Sequence, residues 1–446
     1  MDQLIKHATI VNEGRRFQGD LRIRGGRIEA IATSLAAREG ERVLDAAGRL
    51  LLPGVIDDQV HFREPGLEHK ATIATESRAA VAGGITTFMD MPNTRPPAVT
   101  RAAVDDKFAR AAGSSLANYS FYLGATNDNL EDIRRMPAGA VCALKVFMGA
   151  STGNMLVDDP RTLEAIFRDS PLLVVTHCED TPTIDANLAA EKVLHGPQLD
   201  ATRHPYIRSR EACVKSTKLA IGLARRHDAR LHVLHISTAD ELALFERAPL
   251  AAKRITAETC THFLHFDADD YPRLGNRIKC NPAIKLASDR EAIVRALAEG
   301  TLDVLATDHA PHTAEEKAQS YEQAPSGLPL VQHHLQAALE RVRDGDLSLE
   351  ILVERACHAP ATLFGVRERG FLREGYFADL VLVDPARPQY VRHEDVLSKC
   401  GWSPFEGEKF HSTIVATWVN GHRAWYEGKL DDSVLGQRVE IARGRI

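Results

Sequence analysis

Short apolar runs recur through the middle of the chain, near residues 55–61, 85–91, 119–125, 141–147, 172–177, 230–235, 254–260 and 302–307. Each has the length and the near-continuous apolarity of a strand buried on both faces. The segments between them carry helical spacing. Val331, Leu335, Ala338 and Val342, for example, fall on one face of a helix. Pro360 and Gly365 predict a short helix that opens at the first and closes at the second. Strand–helix units repeated about eight times predict an α/β fold, the (β/α)8 TIM-type barrel, with functional groups at the C-terminal strand ends. An open doubly wound sheet is the other arrangement of such units, but it does not bring strands 1, 4, 5, 6 and 8 around one point.

The two ends of the chain follow another pattern. Asp20-Leu-Arg-Ile-Arg alternates apolar with charged residues, meets Gly25-Gly26, and continues as Arg27-Ile-Glu-Ala-Ile. Thr413-Ile-Val-Ala-Thr-Trp-Val runs into Asn420-Gly421 and then His-Arg-Ala-Trp-Tyr. Both are hairpin signals, and Phe377 to Asp384 adds a further strand. Both termini therefore predict antiparallel β structure.

Composition narrows the class. Of 446 residues, 44% are apolar, enough for a large core. Lys plus Arg total 55 against 61 Asp plus Glu, a formal net charge of -6 with no basic tract, which argues against a nucleic-acid partner. No apolar stretch approaches the roughly 20 residues of a membrane span, and the first residues lack a signal-peptide core. The 7 cysteines are odd in number and lack CxxC spacing, which predicts free thiols in a reducing cytoplasm.

The candidate chemistry begins with Lys145, at the centre of Ala-Val-Cys-Ala-Leu-Lys-Val-Phe-Met. A lone ammonium buried in such a strand is costly. His61, His177, His235 and Asp308 also lie at or near the ends of apolar runs. Ligand-type groups on separate barrel strands predict one metal site assembled from the whole chain. An ammonium cannot ligate, but a lysine carbamylated by CO2 carries a carboxylate and can bridge two metals. Strand alternation places Ala143, Lys145 and Phe147 on one face. It places Leu231, Val233 and His235 on one face and turns His232 away. His232, His309, His262, His265 and Cys178 are accordingly assigned structural roles. The polar segment from His312 to Gly327 is either a mobile lid over the site or a solvated loop.

Several segments carry a family resemblance. Asp-Asp-Gln-Val-His-Phe-Arg-Glu-Pro-Gly (57–66) and Met-Pro-Asn-Thr (91–94) resemble signatures of the class I-like dihydroorotases. Lys-Val-Phe-Met (145–148) resembles the carbamylated-lysine segment of the wider cyclic amidohydrolase superfamily. Thr-His-Cys-Glu (176–179), His-Ile-Ser-Thr (235–238) and Thr-Asp-His-Ala-Pro-His (307–312) match in order and spacing.

The resemblance covers essentially the whole chain. It implies a barrel over 55–368 and a small β-sandwich from residues 1–54 and 369–446. It implies zinc, one or two per chain, held by His61, Lys145 as its carbamate, His177, His235 and Asp308. The implied reaction is reversible closure of N-carbamoyl-L-aspartate to L-dihydroorotate in pyrimidine biosynthesis. In the hydrolytic direction a metal-held hydroxide attacks the ring amide, and Asp308 carries the proton. Arg63, Asn93 and His312 are implied as contacts of the substrate carboxylate, and Asn281 as a contact of the ring. A homodimer is an assembly the resemblance allows.

One position departs from the pattern. The family generally has His-x-His where this chain has Gln59-Val-His61. An amide oxygen is a weaker zinc ligand than imidazole, so the metal at His61 and Asp308 is the weaker of two. Two other functions are compatible with the motifs. One is another cyclic amidohydrolase (a hydantoinase, dihydropyrimidinase or allantoinase). The other is a non-catalytic, dihydroorotase-like structural partner of aspartate transcarbamoylase.

Overall fold

The structure is a computed structural model that describes residues 2–149 and 155–442. The two outermost segments of the expected terminal unit, Met1 and 443–446, lie outside the described residues.

The eight apolar runs form strands: β1 (Val55–Val60), β2 (Ile85–Asp90), β3 (Asn118–Phe121), β4 (Leu144–Phe147), β5 (Val174–His177), β6 (Leu231–Val233), β7 (Ile255–Cys260) and β8 (Val304–Ala306). Neighbours in sequence pair in parallel from β1 to β3 and from β4 to β8. The chain after β3 pairs with β4 through Leu123 and Gly124. The ring closes where Val60 bridges His309 in parallel and the His61 amide donates to the His309 carbonyl at 2.7 Å. The result is the predicted α/β barrel.

Strand alternation sorts the side chains into two layers. Ile56, Met89, Tyr122, Ala143, Val175, Leu234 and Val304 pack together inside the barrel. Val55, Phe88, Leu144, Val146, Val174, Leu231 and Val233 belong to the outer core against the helices. One irregularity bears on function. Asp57 pairs with Phe88 but Val60 pairs with Asp90, so β1 advances three residues while β2 advances two. The extra residue is a bulge that re-aims the following side chains.

The helix predicted to open at Pro360 does not begin there. A helical run starts at Leu349, passes through a wider π-type turn at Glu354–His358, and continues through Pro360 to Leu363. Proline lacks the N–H of a regular turn and its ring crowds the carbonyl four residues back. The widened turn immediately upstream accommodates both effects. The helix predicted around Val331 starts later, at His334, and ends at Arg343.

Both termini join one nine-stranded sheet. Gln3–Asn12 lies between Arg15–Arg24 and Leu50–Pro53, and the latter pairs antiparallel with Leu380–Asp384. Both predicted hairpins are present: Arg15–Arg24 with Arg27–Ala32, and Thr413–Val419 with His422–Tyr426. The sheet curls over its own core of Ile5, Ile10, Leu21, Ile23, Leu382 and Trp418. The two hairpin turns meet: a Cβ on Gly421 would stand 2.6 Å from the Cα of Gly26. Both glycines also have positive φ, so the turns and the contact between them require the absence of a side chain.

Candidate active site

At the C-terminal ends of the strands lies a small, largely enclosed cavity. Gln59, His61, Arg63, Asn93, Lys145, His177, His235, Asn281 and Asp308 line it. The structure thus gathers nearly every residue singled out in the sequence into one space. His312 stands behind Arg63, with its Nε2 3.0 Å from Arg63 Nη2.

Three of these residues adopt left-handed backbone: Arg63 (φ 70°), His235 (φ 40°) and Asp308 (φ 52°). Such conformations cost roughly 1–3 kcal/mol each and persist only where the surroundings impose them. At His235 the strain corrects the alternation argument. Leu231 and Val233 face the helices, whereas His232 and Leu234 belong to the barrel interior. His235 reaches the cavity because the chain turns sharply after β6, not because it shares a face with Leu231 and Val233. The argument holds on β4, where Ala143 is interior and Lys145 and Phe147 line the cavity. It holds for Cys178, which packs in the outer core with its thiol on Thr176.

The donor set calls for a cation. His61 Nδ1 donates to Asn93 Oδ1 at 2.7 Å, which turns its other ring nitrogen, Nε2, to Asp308 Oδ1 at 3.1 Å. His177 Nδ1 and His235 Nε2 share a hydrogen bond of 2.9 Å, and His177 Nε2 lies 3.1 Å from Glu179 Oε2. Three imidazoles and a carboxylate thus converge on one buried space, with Asn93 behind His61 as the kind of contact that orients a metal ligand. Burial lowers the pKa of Lys145 to about 8, against the opposing charges of Asp308 and Glu258. Its amine is therefore far more available near neutral pH than that of an exposed lysine. Gln59 turns its amide nitrogen to Asp308 Oδ1 at 3.1 Å, so its donor side, not its oxygen, faces the ligand position.

The other wall of the cavity is cationic. Arg63 is 2% exposed, and burial lowers its pKa to about 10. Its Nε donates to the Pro311 carbonyl at 2.9 Å, but among the described residues it has no carboxylate within 4.0 Å. Lys70 adds a second positive charge, donating to His312 Nδ1 at 2.9 Å and pairing with Glu316 at 3.0 Å. Burial, then Arg63, drives the His312 pKa well below its ordinary value, so the ring is neutral between two cations. Among the described residues, Asn281 Oδ1 has no hydrogen-bond partner, and it is open to a donor on a ligand.

The 312–327 segment proves to be a fixed wall. Lys317 Nζ donates to the carbonyls of Lys279 (3.0 Å), Pro325 (2.9 Å) and Gly327 (3.0 Å). Lys279 Nζ in turn binds the carbonyls of Tyr321 and Ala324. Ser326 and Gly327 line the cavity. Gly327 has φ 145°, and a Cβ there would stand 2.3 Å from the Ala310 carbonyl.

The residues assigned structural roles divide. His309 points away from the cavity, with Nε2 on Glu76 at 2.8 Å and Nδ1 accepting from the Leu330 amide at 2.8 Å. His265 pairs with Glu408 at 2.7 Å. His262 is buried, and neither ring nitrogen meets a hydrogen-bond partner among the described residues. His232 is turned inward, against Glu258 and Asp58. Lys70, Glu179 and Asp58 were not singled out in the sequence. Glu179, two residues after His177, was the most accessible of these, because that spacing keeps both side chains on one face.

A family model described as the amidohydrolase family matches residues 50–424. The dihydroorotase of Halobacterium salinarum is 38% identical over 420 residues, covering 91% of this chain and 93% of its own. That of Bacillus cytotoxicus is 34% identical over 437 residues, covering 95% of this chain and 98% of its own. Among solved structures, L-hydantoinase (dihydropyrimidinase) from Arthrobacter aurescens superposes with a TM-score of 0.93 at 29% identity, over 98% of this chain and 99% of that one. The cluster of imidazoles and carboxylate at the strand ends thus accompanies a match over nearly the full length of the chain, which belongs to the amidohydrolase family and, within it, to the dihydroorotases.

Proposed function

We propose that this chain is a metal-dependent cyclic amide hydrolase that interconverts N-carbamoyl-L-aspartate and L-dihydroorotate. The observation that carries the choice of substrate is Arg63. A buried guanidinium with no carboxylate in contact among the described residues is costly, and a substrate carboxylate would complete it in a charge-assisted fork. Neutral rings such as hydantoin or dihydrouracil offer no such group. The Arthrobacter hydantoinase shares the fold, but the cationic wall favours the acid.

The chain's own groups divide the work. Arg63 binds the carboxylate, with Lys70 and His312 behind it. Asn93 lines the cavity and, through its bond to His61, fixes that imidazole's orientation. Asn281 Oδ1 accepts the ring N–H. In the hydrolytic direction a water adds to the amide carbonyl. Asp308 Oδ1 takes the proton that the water releases and returns it to the departing ring nitrogen, so the carboxylate is regenerated. In the synthetic direction the same steps run backwards and water leaves.

His177 and His235 would hold one divalent cation, with Lys145 as a third ligand; His61, Asp308 and the same lysine would hold a second. When bound, such a cation polarises the carbonyl and brings the pKa of water toward about 7. For this Lys145 must be carboxylated: its neutral Nζ bonds to the carbon of CO2 and one proton is released, leaving a carbamate. Zinc fits a set of imidazoles and carboxylates.

Purified protein supplied with Zn2+ and bicarbonate should cyclise N-carbamoyl-L-aspartate unaided. Hydantoin turnover exceeding dihydroorotate turnover would instead favour the neutral-ring reading. No cyclisation by a folded, metal-loaded chain would favour the structural-partner reading. Because Gln59 offers an amide N–H rather than an imidazole, mild chelation should remove one zinc well before the other. Two equally resistant zincs would contradict the weaker second site.

A further inference from the structure

Beneath the cavity, a second cluster of ligand-type groups sits on the barrel axis. Asp58 of β1, His232 of β6 and Glu258 of β7 are fully buried, and their ligand atoms lie within 4.8 Å of one another. His232 Nε2 is 3.0 Å from Glu258 Oε2 and 3.7 Å from Asp58 Oδ2. Among the described residues, neither Asp58 oxygen accepts a hydrogen bond, and Glu258 Oε1 accepts none. Burial alone does not produce this. The adjacent Asp57 is equally buried, yet it accepts from the Thr307 amide at 3.1 Å and the Thr307 hydroxyl at 2.6 Å.

His232 Nε2 hydrogen-bonds Glu258 Oε2 at 3.0 Å, and Thr256 Oγ1 meets Nδ1 at 2.8 Å. Both Asp58 oxygens and the second Glu258 oxygen are left without a hydrogen-bond partner among the described residues. Two carboxyl groups and an imidazole around one point, shielded from water, are unfavourable without a proton or a cation among them.

We propose that Asp58, His232 and Glu258 bind a divalent cation of the zinc class, at a structural site one layer below the active-site cavity. One imidazole and two carboxylates suit Zn2+ or Mn2+. Tetrahedral zinc, with bonds of about 2.0–2.1 Å, sets its ligand atoms about 3.3 Å apart, and the 3.0 and 3.7 Å separations bracket that value. The Nδ1 bond to Thr256 is the outer contact that holds a ligating imidazole in place. Such an ion would tie β1 across the barrel to β6 and β7, strands with which it does not pair. The β1 bulge follows Asp57 and lets the neighbours Asp58 and Gln59 both face inward. The competing resolution is a proton shared by the two carboxyl groups, both of which burial raises above their ordinary values.

Crystals of the full chain loaded with Zn2+ distinguish the two. Anomalous diffraction at the zinc edge should show a peak about 2.0–2.2 Å from Asp58, His232 and Glu258 oxygen and nitrogen atoms, separate from any peak in the cavity. A loaded cavity with no peak at the trio overturns the proposal and leaves the shared proton. In solution, Asp58→Asn and Glu258→Gln should each lose one zinc equivalent by elemental analysis while zinc remains in the cavity. Unchanged stoichiometry also overturns it. Should either variant fail to fold, the wild-type map decides alone. The result is independent of the substrate assignment: cyclase activity with an empty trio sinks this inference only, and a filled trio without cyclase activity sinks only the function proposed above.

Discussion

The proposed specificity rests on Arg63. Its guanidinium is held by the Pro311 carbonyl and lies beside His312, yet has no carboxylate in contact among the described residues. Removing one member of a buried, hydrogen-bonded charge pair costs about 2–5 kcal/mol, or roughly 30- to 5000-fold. Arg63→Met should therefore lower kcat/KM for dihydroorotate by a factor in that range, chiefly through KM. Steady-state kinetics check it, and an unaltered KM would remove the carboxylate clamp from the account. At this scale the sequence was readable where chemistry and context conflicted. A lysine in an apolar strand, or histidines at strand ends, stand out because their burial is costly unless something pairs with them. Asp58 did not stand out, because only the β1 bulge turns it inward. His235 stood out for an incomplete reason: its left-handed backbone, not strand alternation, aims it at the cavity.

Among the elements, the segment after β8 owes its position to two buried lysines, not to its own apolar residues alone. Lys317→Met should free the Pro325 and Gly327 carbonyls and loosen the wall formed by Ser326 and Gly327. An increase in KM with faster proteolytic cleavage between 313 and 325 is expected; unchanged cleavage would mean that Lys279 suffices. The turn after β5 has its own electrostatics. Burial alone would raise the pKa of Glu179, but Arg208 and His177 outweigh it and hold the group at about 2, below its ordinary 4.5. The folded state then binds fewer protons than the unfolded state between those values. The stabilisation is fully present above about 4.5 and is lost as pH falls through about 2, a total of about 3 kcal/mol. Acid unfolding of the metal-free protein should be correspondingly shallower in Glu179→Gln; identical profiles would mean another group governs it. Strand positions were legible because a strand buried on both faces needs an unbroken apolar run. The helix through Pro360 was not, since a widened turn that absorbs a proline leaves no mark in apolar spacing.

Across the whole molecule, the two chain ends share one sheet, and Trp418 spans them. Its indole donates to Gln3 Oε1 at 2.9 Å from within the sheet's own core. Trp418→Ala should cost about 3–5 kcal/mol and lower the melting temperature with little effect on KM. A matching loss of substrate affinity would show that the sheet positions the cavity directly. No helix among the described residues is long and apolar enough to cross a membrane. The sequence by itself determined the order of strands, the hairpins at both ends, the barrel class and most of the donor set. All of these follow from local apolar periodicity, turn chemistry and the cost of burying charge. Only the tertiary structure decided which ring nitrogens face one another, that Arg63 lacks a carboxylate in contact among the described residues, that the 312–327 segment is pinned, and that Asp58 meets His232 and Glu258. Those facts depend on a bulge, on strained backbone and on contacts between strands far apart in the chain, and no local pattern of residues encodes them.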